Sequence, residues 1–453
     1  MVNAPLKREL GLGSAVMLGL GSMVGAGVFV SLGLGAGLVG PAVIGAIVLA
    51  GLLAMCNGMS SAQLAAEHPV AGGTYEYGHR VGWPALGTVA GFMFLVAKSA
   101  SCATAALGLA GYVLHRFGVE TAGTLQIAGA LAVIIMVTVM VLEGIRRTNR
   151  VNTVVVSITL LGLAVFVGMG GYAAFTGEAN AWLENDLTDE YASLRGDQSV
   201  EAMLFGIRSW PNFLFATALM FVAYTGYGRI ATLGEEVKEP RKTIPKAVVA
   251  TVLVCIIMYT AVAAVGIGLV DAGGFASLSE GGATLEAVSE QAGLPAWVGW
   301  AVTIAAVTAM LGVILNLILG LSRVALAMGR RRLLPGVFAK IDDAGTTPGP
   351  AVILVAVIVA SLACLGSIKA AWSLSAVTVL VYYAITNAAA LRLPPEARLY
   401  PRVFSWLGLV GCLGLSVFVE PIYWAYAGGV IVVAFVWHTA TQRNPKNKNA
   451  PAD

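Results

Sequence analysis

The chain has 453 residues, of which 58% are hydrophobic and only 11% are charged. Soluble domains carry about 25% charged residues, so this composition excludes a water-soluble enzyme and predicts a protein embedded in a bilayer. The formal net charge of +3 gives no reason to expect a nucleic-acid partner. Because one membrane span needs about 20 apolar residues, the length allows about ten to twelve spans and no sizeable soluble domain.

Apolar runs bounded by turn residues and charges predict an all-α protein with twelve transmembrane helices. In chain order the predicted spans cover residues 12–36, 41–66, 85–114, 124–144, 151–176, 208–233, 246–270, 296–328, 349–367, 370–391, 403–419 and 421–440. The lipid bilayer is therefore the expected surroundings of nearly the whole chain.

The basic residues predict the orientation of these spans. Of the 27 Lys and Arg residues, 21 fall on the side that holds both termini. The others are four on the opposite side and two inside spans, namely Arg116, Arg195, Arg208 and Lys369, and Lys98 and Arg229. Since basic residues concentrate on the cytoplasmic side, both termini are expected in the cytoplasm, with the protein in the cell (inner) membrane.

Two predicted spans are interrupted at mid-depth. Span 1 contains Met23-Val24-Gly25-Ala26-Gly27, and span 6 contains Val222-Ala223-Tyr224-Thr225-Gly226. Clustered glycines weaken a helix and allow its backbone to unwind. Exposed backbone at membrane depth is tolerated only where it lines a cavity or meets a ligand. The alternative is that both strings are small-residue packing faces.

At these residues the sequence resembles the amino acid-polyamine-organocation (APC) family of secondary transporters. The resemblance rests on the glycine string of span 1, on the stretch 69–75 (PVAGGTY) and on the stretch 226–245. It implies two inverted five-span repeats at residues 12–176 and 208–391, with discontinuous helices 1 and 6 (a LeuT/APC-type fold). Two peripheral spans at 403–440 and a cytoplasmic tail at 441–453 would follow, and the implied activity is transport of amino acids or related amines.

Broken helices can hold an amino acid without charged side chains. The free amides of Gly25, Ala26 and Gly27 are expected to bind the substrate carboxylate. The carbonyls of Met23 and of Val222, Ala223 or Thr225 are expected to bind its ammonium group. Tyr224 and Tyr227 are candidates for a pocket wall, or else ordinary packing.

Lys98, in the middle of span 3, is a candidate coupling residue, because a lysine at this depth is costly and usually functional. In the family that the sequence resembles, proton-coupled members often carry a lysine in span 5, where this chain has Ser157 and Thr159. Lys98 is therefore expected to touch the broken span 1 and to substitute for a sodium ion or relay protons. The alternative is that it only pins span 3 to nearby carbonyls.

Three further side chains have several candidate roles. Arg229 follows the second break and is expected to pair with Glu235 or Glu236 in an inner gate, to snorkel to the surface, or to contact an acidic substrate. Ser157 and Thr159 are candidates for a sodium site, although such hydroxyls usually bond back to their own helix. The scattered histidines predict no metal site, and no cofactor is expected.

These features favour a secondary transporter. No Asp or Glu lies at mid-depth in a predicted span, so a neutral amino acid fits better than a cationic amino acid or a polyamine. Proton coupling and exchange both remain open, as does the oligomeric state. Two different classes compete with a transporter, namely a non-transporting amino acid sensor and a membrane-embedded enzyme, which would need clustered acids, bases or metal ligands.

Overall fold

The computed structural model describes residues 10–67, 74–119, 123–144, 149–176, 209–231, 237–279, 281–342 and 347–443. Several sequence features lie outside these residues, namely most of the 69–75 motif, the polar stretch 177–207, Glu235 and Glu236, and the tail beyond Arg443. Across the described chain the fold is all-helical, with one isolated parallel bridge between Leu10 and Val237.

A helix occupies every predicted span, with bounds that differ from the prediction by a few residues. The helices are α1 (Leu12–Met23), α2 (Leu32–Val39), α3 (Val43–Glu67), α4 (Thr74–Arg80), α5 (Pro84–Arg116), α6 (Thr124–Leu142), α7 (Asn149–Thr176), α8 (Trp210–Tyr224), α9 (Gly228–Ala231), α10 (Pro240–Ser277), α11 (Thr284–Gln291), α12 (Ala296–Arg330), α13 (Gly349–Ala363), α14 (Ile368–Leu391), α15 (Arg402–Ser416) and α16 (Pro421–Arg443).

Nine helical stretches of the described chain are long and apolar enough to cross a membrane. Three shorter apolar helices accompany them, namely α1, α13 and α15. The all-helical membrane class is therefore confirmed, while the count of twelve crossings and the inverted repeat stay predictions.

Proline and glycine set several helix ends. Pro84, Pro240 and Pro350 lie in the first turns of α5, α10 and α13. Backbone amides in the first turn have no acceptor within the helix, so a proline there costs no hydrogen bond. Gly40 follows α2 with a φ of 60°, a conformation that glycine adopts without strain, and Pro41 comes next. Residues 40–42 therefore turn the chain from α2 into α3.

The core lies between α5 and α14. In each of these helices 83% of the most apolar 18-residue stretch is buried inside the protein, against 17% in α16. α5 also packs against α12, while α15 packs on α14 and α3. The central helices thus hold the polar residues discussed below, and α16 lies at the edge of the bundle.

Close helix packing depends on small residues such as Gly162 in α7. A Cβ atom added there would lie 2.8 Å from the carbonyl oxygen of Ala301 in α12 and would also overlap Ala305. Gly168, on the same helix, has no atom within 4 Å of such a Cβ. The close contact between α7 and α12 therefore requires glycine at position 162 but not at position 168.

We expect Gly162→Ala to lower the free energy of unfolding by about 1–3 kcal/mol, the usual penalty of overpacking. The matched variant Gly168→Ala should leave stability unchanged or raise it by up to about 1 kcal/mol, through helix propensity. Thermal unfolding of the purified proteins in detergent measures both. Equal melting temperatures for the two variants would contradict the packing assigned to α7 and α12.

Candidate functional site

The first interruption separates α1 from a π-helical turn. α1 ends at Met23, and Val24 has extended backbone angles (φ −79°, ψ 105°). The turn at Gly27–Ser31 follows, and the amides of Val28 and Phe29 both donate to the carbonyl of Gly25, at 3.1 and 3.2 Å. The first amides of the new helical segment, from Gly25 to Gly27, thus face the interruption and are buried.

The second interruption lies between α8 and α9. α8 ends at Tyr224, and Thr225–Tyr227 forms a 3₁₀ turn before the helix resumes at Gly228. The side chain of Thr225 donates to the carbonyl of Val222 at 2.7 Å. Val222, Ala223 and Thr225 are all buried, so this turn also opens backbone groups at the centre of the protein.

The structure brings the two interruptions into direct contact. A Cβ atom on Gly27 would lie 2.5 Å from the Cβ of Ala223 and 3.0 Å from its Cα. A Cβ on Gly226 would overlap the carbonyl group of Ser22. Glycine is therefore required on both sides because each broken backbone packs against the other.

One hydroxyl group joins two of the candidate carbonyls. Tyr259 in α10 donates to the carbonyl of Met23 at 2.9 Å and lies 3.3 Å from that of Ala223. These two oxygens belong to the ends of α1 and α8, where the helix dipoles are negative. A hydrogen-bond donor thus occupies the position where an ammonium group is expected.

Lys98 reaches the second interruption. Its Nζ donates to Oγ1 of Thr225 at 2.6 Å and lies 3.4 Å from the Thr225 carbonyl oxygen. The hydroxyl of Tyr383 donates to the same carbonyl at 3.2 Å. The sequence predicts that Lys98 touches the break in span 1, but its hydrogen bonds among the described residues go instead to the break in span 6. The physical reason is that α5 brings the amine beside a turn whose hydroxyl and carbonyl oxygens can both accept hydrogen bonds from it.

Thr159 and Ser157 point in different directions. Thr159 is buried beside Leu20 and Gly21 of α1 and beside Val24, which follows α1. Its hydroxyl donates to the carbonyl of Val155 in its own helix at 2.9 Å. Ser157 is exposed on another face of α7. The two hydroxyls do not meet at one place.

The remaining candidates lie around the second interruption. Arg229 is half-buried in α9, and the carboxylates expected to pair with it are outside the described residues. Tyr224 donates to the carbonyl of Ile47 at 3.1 Å, and the ring of Tyr227 packs 5.3 Å from that of Tyr383. Both tyrosines are thus fully buried.

Ion pairs join helices at the end of the bundle where Leu10 pairs with Val237. Arg331 contacts Glu76 of α4 at 2.6 Å, and Arg241 contacts Glu67 at 2.9 Å. Burial lowers the pKa of His79 to about 4, with the charge of Arg331 adding to the effect, so its ring is neutral near pH 7. The arginines in these pairs are exposed, so water can reach this end of the bundle.

A buried ion pair closes the opposite end. Glu286 of α11 is fully buried, contacts Arg116 at 3.0 Å and accepts a hydrogen bond from Thr303 at 2.5 Å. Tyr112 links this closure to the first interruption, because its hydroxyl donates to the carbonyl of Phe29 at 2.9 Å. The two interruptions are therefore covered on both sides.

Sequence reasoning missed Tyr259, Tyr383 and the two closing helices α4 and α11. A signal for the tyrosines was present, because tyrosine usually lies at membrane interfaces and these two occur in the middle of predicted spans. α4 and α11 are short and lie in connections, where apolar periodicity gives little information.

Comparisons with known proteins identify the family of this chain. The family model described as amino acid permease matches residues 10–447. The chain belongs to the amino acid permease family. An uncharacterized transporter of Mycobacterium tuberculosis is 36% identical over 430 residues, which cover 94% of this chain and 89% of the relative. The protein is accordingly a multi-pass membrane transporter and not an enzyme.

The names of several relatives state a substrate, and these differ from one relative to another. A branched-chain amino acid permease of Bacillus subtilis is 27% identical over 449 residues, covering 95% of this chain and 91% of that protein. A vacuolar cationic amino acid transporter of Arabidopsis thaliana is 26% identical over 372 residues, covering 79% and 58%. The APC resemblance drawn from the glycine strings is therefore confirmed at the level of the family.

We expect Tyr259→Phe to destabilise this permease by about 1–3 kcal/mol, because it removes the donor from two buried carbonyls. Thermal unfolding without added substrate measures the loss. Tyr172→Phe serves as the control, since Tyr172 is 65% exposed. Wild-type stability in Tyr259→Phe would show that the hydroxyl does not bridge the two interruptions.

Proposed function

We propose that the protein is a secondary active transporter that moves neutral amino acids across the cell (inner) membrane by alternating access. Transport is coupled to protons or runs as exchange. The contact between the two interrupted helices carries this proposal, because it assembles backbone donors and acceptors at one buried place. The name of the branched-chain permease relative supports a neutral, apolar substrate.

The substrate lies between the two breaks. Its carboxylate accepts hydrogen bonds from the amides of Gly25, Ala26 and Gly27, at the positive end of the segment that begins there. Its ammonium group donates to the carbonyls of Met23 and Ala223, taking over acceptors that the Tyr259 hydroxyl holds in this structure. No charged side chain is needed for either end.

Charge at the site favours a substrate without a second positive group. The buried carboxylates of the described chain, Glu76 and Glu286, are both paired with arginine near the ends of the bundle. Lys98 already places one cation against the second break, and Arg229 follows that break two residues after its 3₁₀ turn. A lysine or polyamine substrate would place a further cation near them, which is unfavourable in a poorly solvated interior.

In the proton-coupled form of this proposal, Lys98 is the coupling residue. In its charged form the amine donates to both oxygens of Thr225 and holds the 3₁₀ turn against α5. Loss of the proton removes the charge-assisted part of these bonds and loosens the turn. Since this turn directly follows the helix end that supplies the Ala223 carbonyl, protonation and substrate binding act on adjacent parts of the backbone.

The fold that we propose has twelve crossings. α1 and α2, together with the π-helical turn between them, make one crossing, and α8 and α9 make another. Residues 12–176 and 208–391 form two inverted repeats, with 403–440 at the periphery and the basic end of the bundle in the cytoplasm. The low burial of α16 and the matched breaks support this arrangement.

A ligand screen tests the substrate class. Leucine, isoleucine and valine should raise the melting temperature of the purified protein, since a ligand at 100 times its Kd adds about 2.7 kcal/mol of stability. Arginine, lysine and putrescine should not. These three cationic compounds are the informative comparison because one relative is named a cationic amino acid transporter. Stabilisation by the cationic compounds alone would contradict a neutral substrate.

We expect Lys98→Met to abolish the pH dependence of amino acid uptake into proteoliposomes and to lower its rate about tenfold, because Thr225 loses a charged donor. Lys369→Met is the matched control: Lys369 is half-exposed and pairs with Glu420 at 3.1 Å. Full, pH-dependent uptake by Lys98→Met would refute its role in coupling.

A further inference from the structure

A band of polar side chains runs from the second interruption toward the basic end of the bundle. It consists of Asn57, Ser60 and Gln63 of α3, Tyr383 and Asn387 of α14, and Ser405 and Cys412 of α15; we call it the polar seam. Each member is at most 2% exposed. Residues three, four or seven positions apart lie on one helix face, so each helix turns a polar stripe toward the other two.

The seam begins at the turn that holds Lys98. The hydroxyl of Tyr383 donates to the Thr225 carbonyl that Lys98 also contacts. One helical turn further, the side-chain amide of Asn387 donates to the carbonyl of Tyr383 at 2.8 Å. The ring of Tyr227 packs beside that of Tyr383, with the ring centres 5.3 Å apart.

The seam then continues to the surface. Asn387 donates to Oδ1 of Asn57, which also lies 3.5 Å from the thiol of Cys412. Ser60 and Ser405 are hydrogen-bonded at 2.9 Å, and Gln63 reaches Ser405 at 3.4 Å. One turn beyond Gln63 on the same helix is Glu67, which is partly exposed and contacts Arg241.

Two acceptors in the seam have no hydrogen-bond partner among the described residues, Oδ1 of Asn387 and Oε1 of Gln63. Leaving a buried acceptor unpaired costs about 1–3 kcal/mol, so a seam that served only to join helices would be expected to pair them. Buried polar groups in this situation usually bind ordered water. The two oxygens lie on different helices, one near the seam's start and one near its surface end.

We propose that the polar seam is a water-lined path by which the proton of Lys98 exchanges with the cytoplasm. The inference rests on the proposed function, since it requires Lys98 to carry a proton. The Nζ–H bond breaks, the proton passes to a water molecule and the amine is left neutral. The proton then moves along hydrogen-bonded water to Glu67 or to bulk water, and no electrons are exchanged.

Few other titratable groups share this part of the protein. The titratable groups around Lys98 and the seam are mostly phenols and thiols, while the buried carboxylates Glu76 and Glu286 pair with arginines in the short helices α4 and α11. The cation nearest in sequence to Thr225 is Arg229, four residues on. The phenols and thiols are Tyr227, Tyr382, Tyr383, Cys102 and Cys412.

The test compares proton movement with substrate exchange in proteoliposomes that contain a pH-sensitive dye, using labelled L-leucine as the probe. Asn387→Leu and Gln63→Leu should lower leucine-driven proton entry and net uptake about tenfold or more, because a broken path raises the barrier to proton transfer. Counterflow of leucine at equal pH should stay within about twofold of wild type, since it needs no net proton release. Asn387→Ser, which keeps a small polar group, should recover proton entry.

Thr88→Val is the matched control. Thr88 hydrogen-bonds His438 of α16 at 3.0 Å and therefore also joins a peripheral helix to the core, but outside the seam. We expect it to retain both activities. If Asn387→Leu fails to fold, Gln63→Leu alone decides.

Proton entry at the wild-type rate in Asn387→Leu and Gln63→Leu, or a parallel loss of counterflow and proton entry, would overturn the path. Leucine counterflow without any proton entry in the wild-type protein would also overturn it. A wild-type protein that exchanges no amino acid would instead refute the proposed function itself.

Discussion

The constraint on which this structure depends is that backbone amides and carbonyls cannot remain unpaired in the interior of a membrane protein. The chain interrupts two helices at mid-depth and thereby frees such groups at Gly25–Gly27 and at Val222–Thr225. It satisfies some of them with side chains: Tyr259 holds the carbonyls of Met23 and Ala223, while Lys98 and Tyr383 hold that of Thr225. These side chains stand in positions that a zwitterionic substrate is suited to share or take over.

Charge is used sparingly around this site. The buried carboxylates of the described chain form ion pairs near the two ends of the bundle, at Glu76 and Glu286. Lys98 is the exception, a buried cation placed beside a 3₁₀ turn with a hydroxyl and a carbonyl as acceptors. Under the proposed function, such a group acts on the turn by gaining or losing one proton, and the ion pairs at the ends of the bundle break when the site opens.

The sequence predicted much of the fold because apolar runs, turn residues and basic residues are local signals. The breaks at Gly25–Gly27 and Thr225–Gly226 were found by their glycines, and Lys98 by its depth. The partner of Lys98 was assigned to the wrong helix, since which neighbour an amine meets depends on how α5 is rotated against α8. Tyr259 and the polar seam were missed for a similar reason: Asn57, Asn387 and Cys412 are far apart in sequence and meet only through helix packing. The ends of the bundle depend on α4 and α11, which no apolar periodicity marks.

A structure of the purified protein with a bound neutral amino acid such as leucine tests the proposed site most directly. We predict its carboxylate at the amides of Gly25, Ala26 and Gly27, and its ammonium group between the carbonyls of Met23 and Ala223, with the Tyr259 hydroxyl displaced from at least one of them. An amino acid bound elsewhere, with Tyr259 still bridging both carbonyls, would contradict a substrate site between the two interrupted helices.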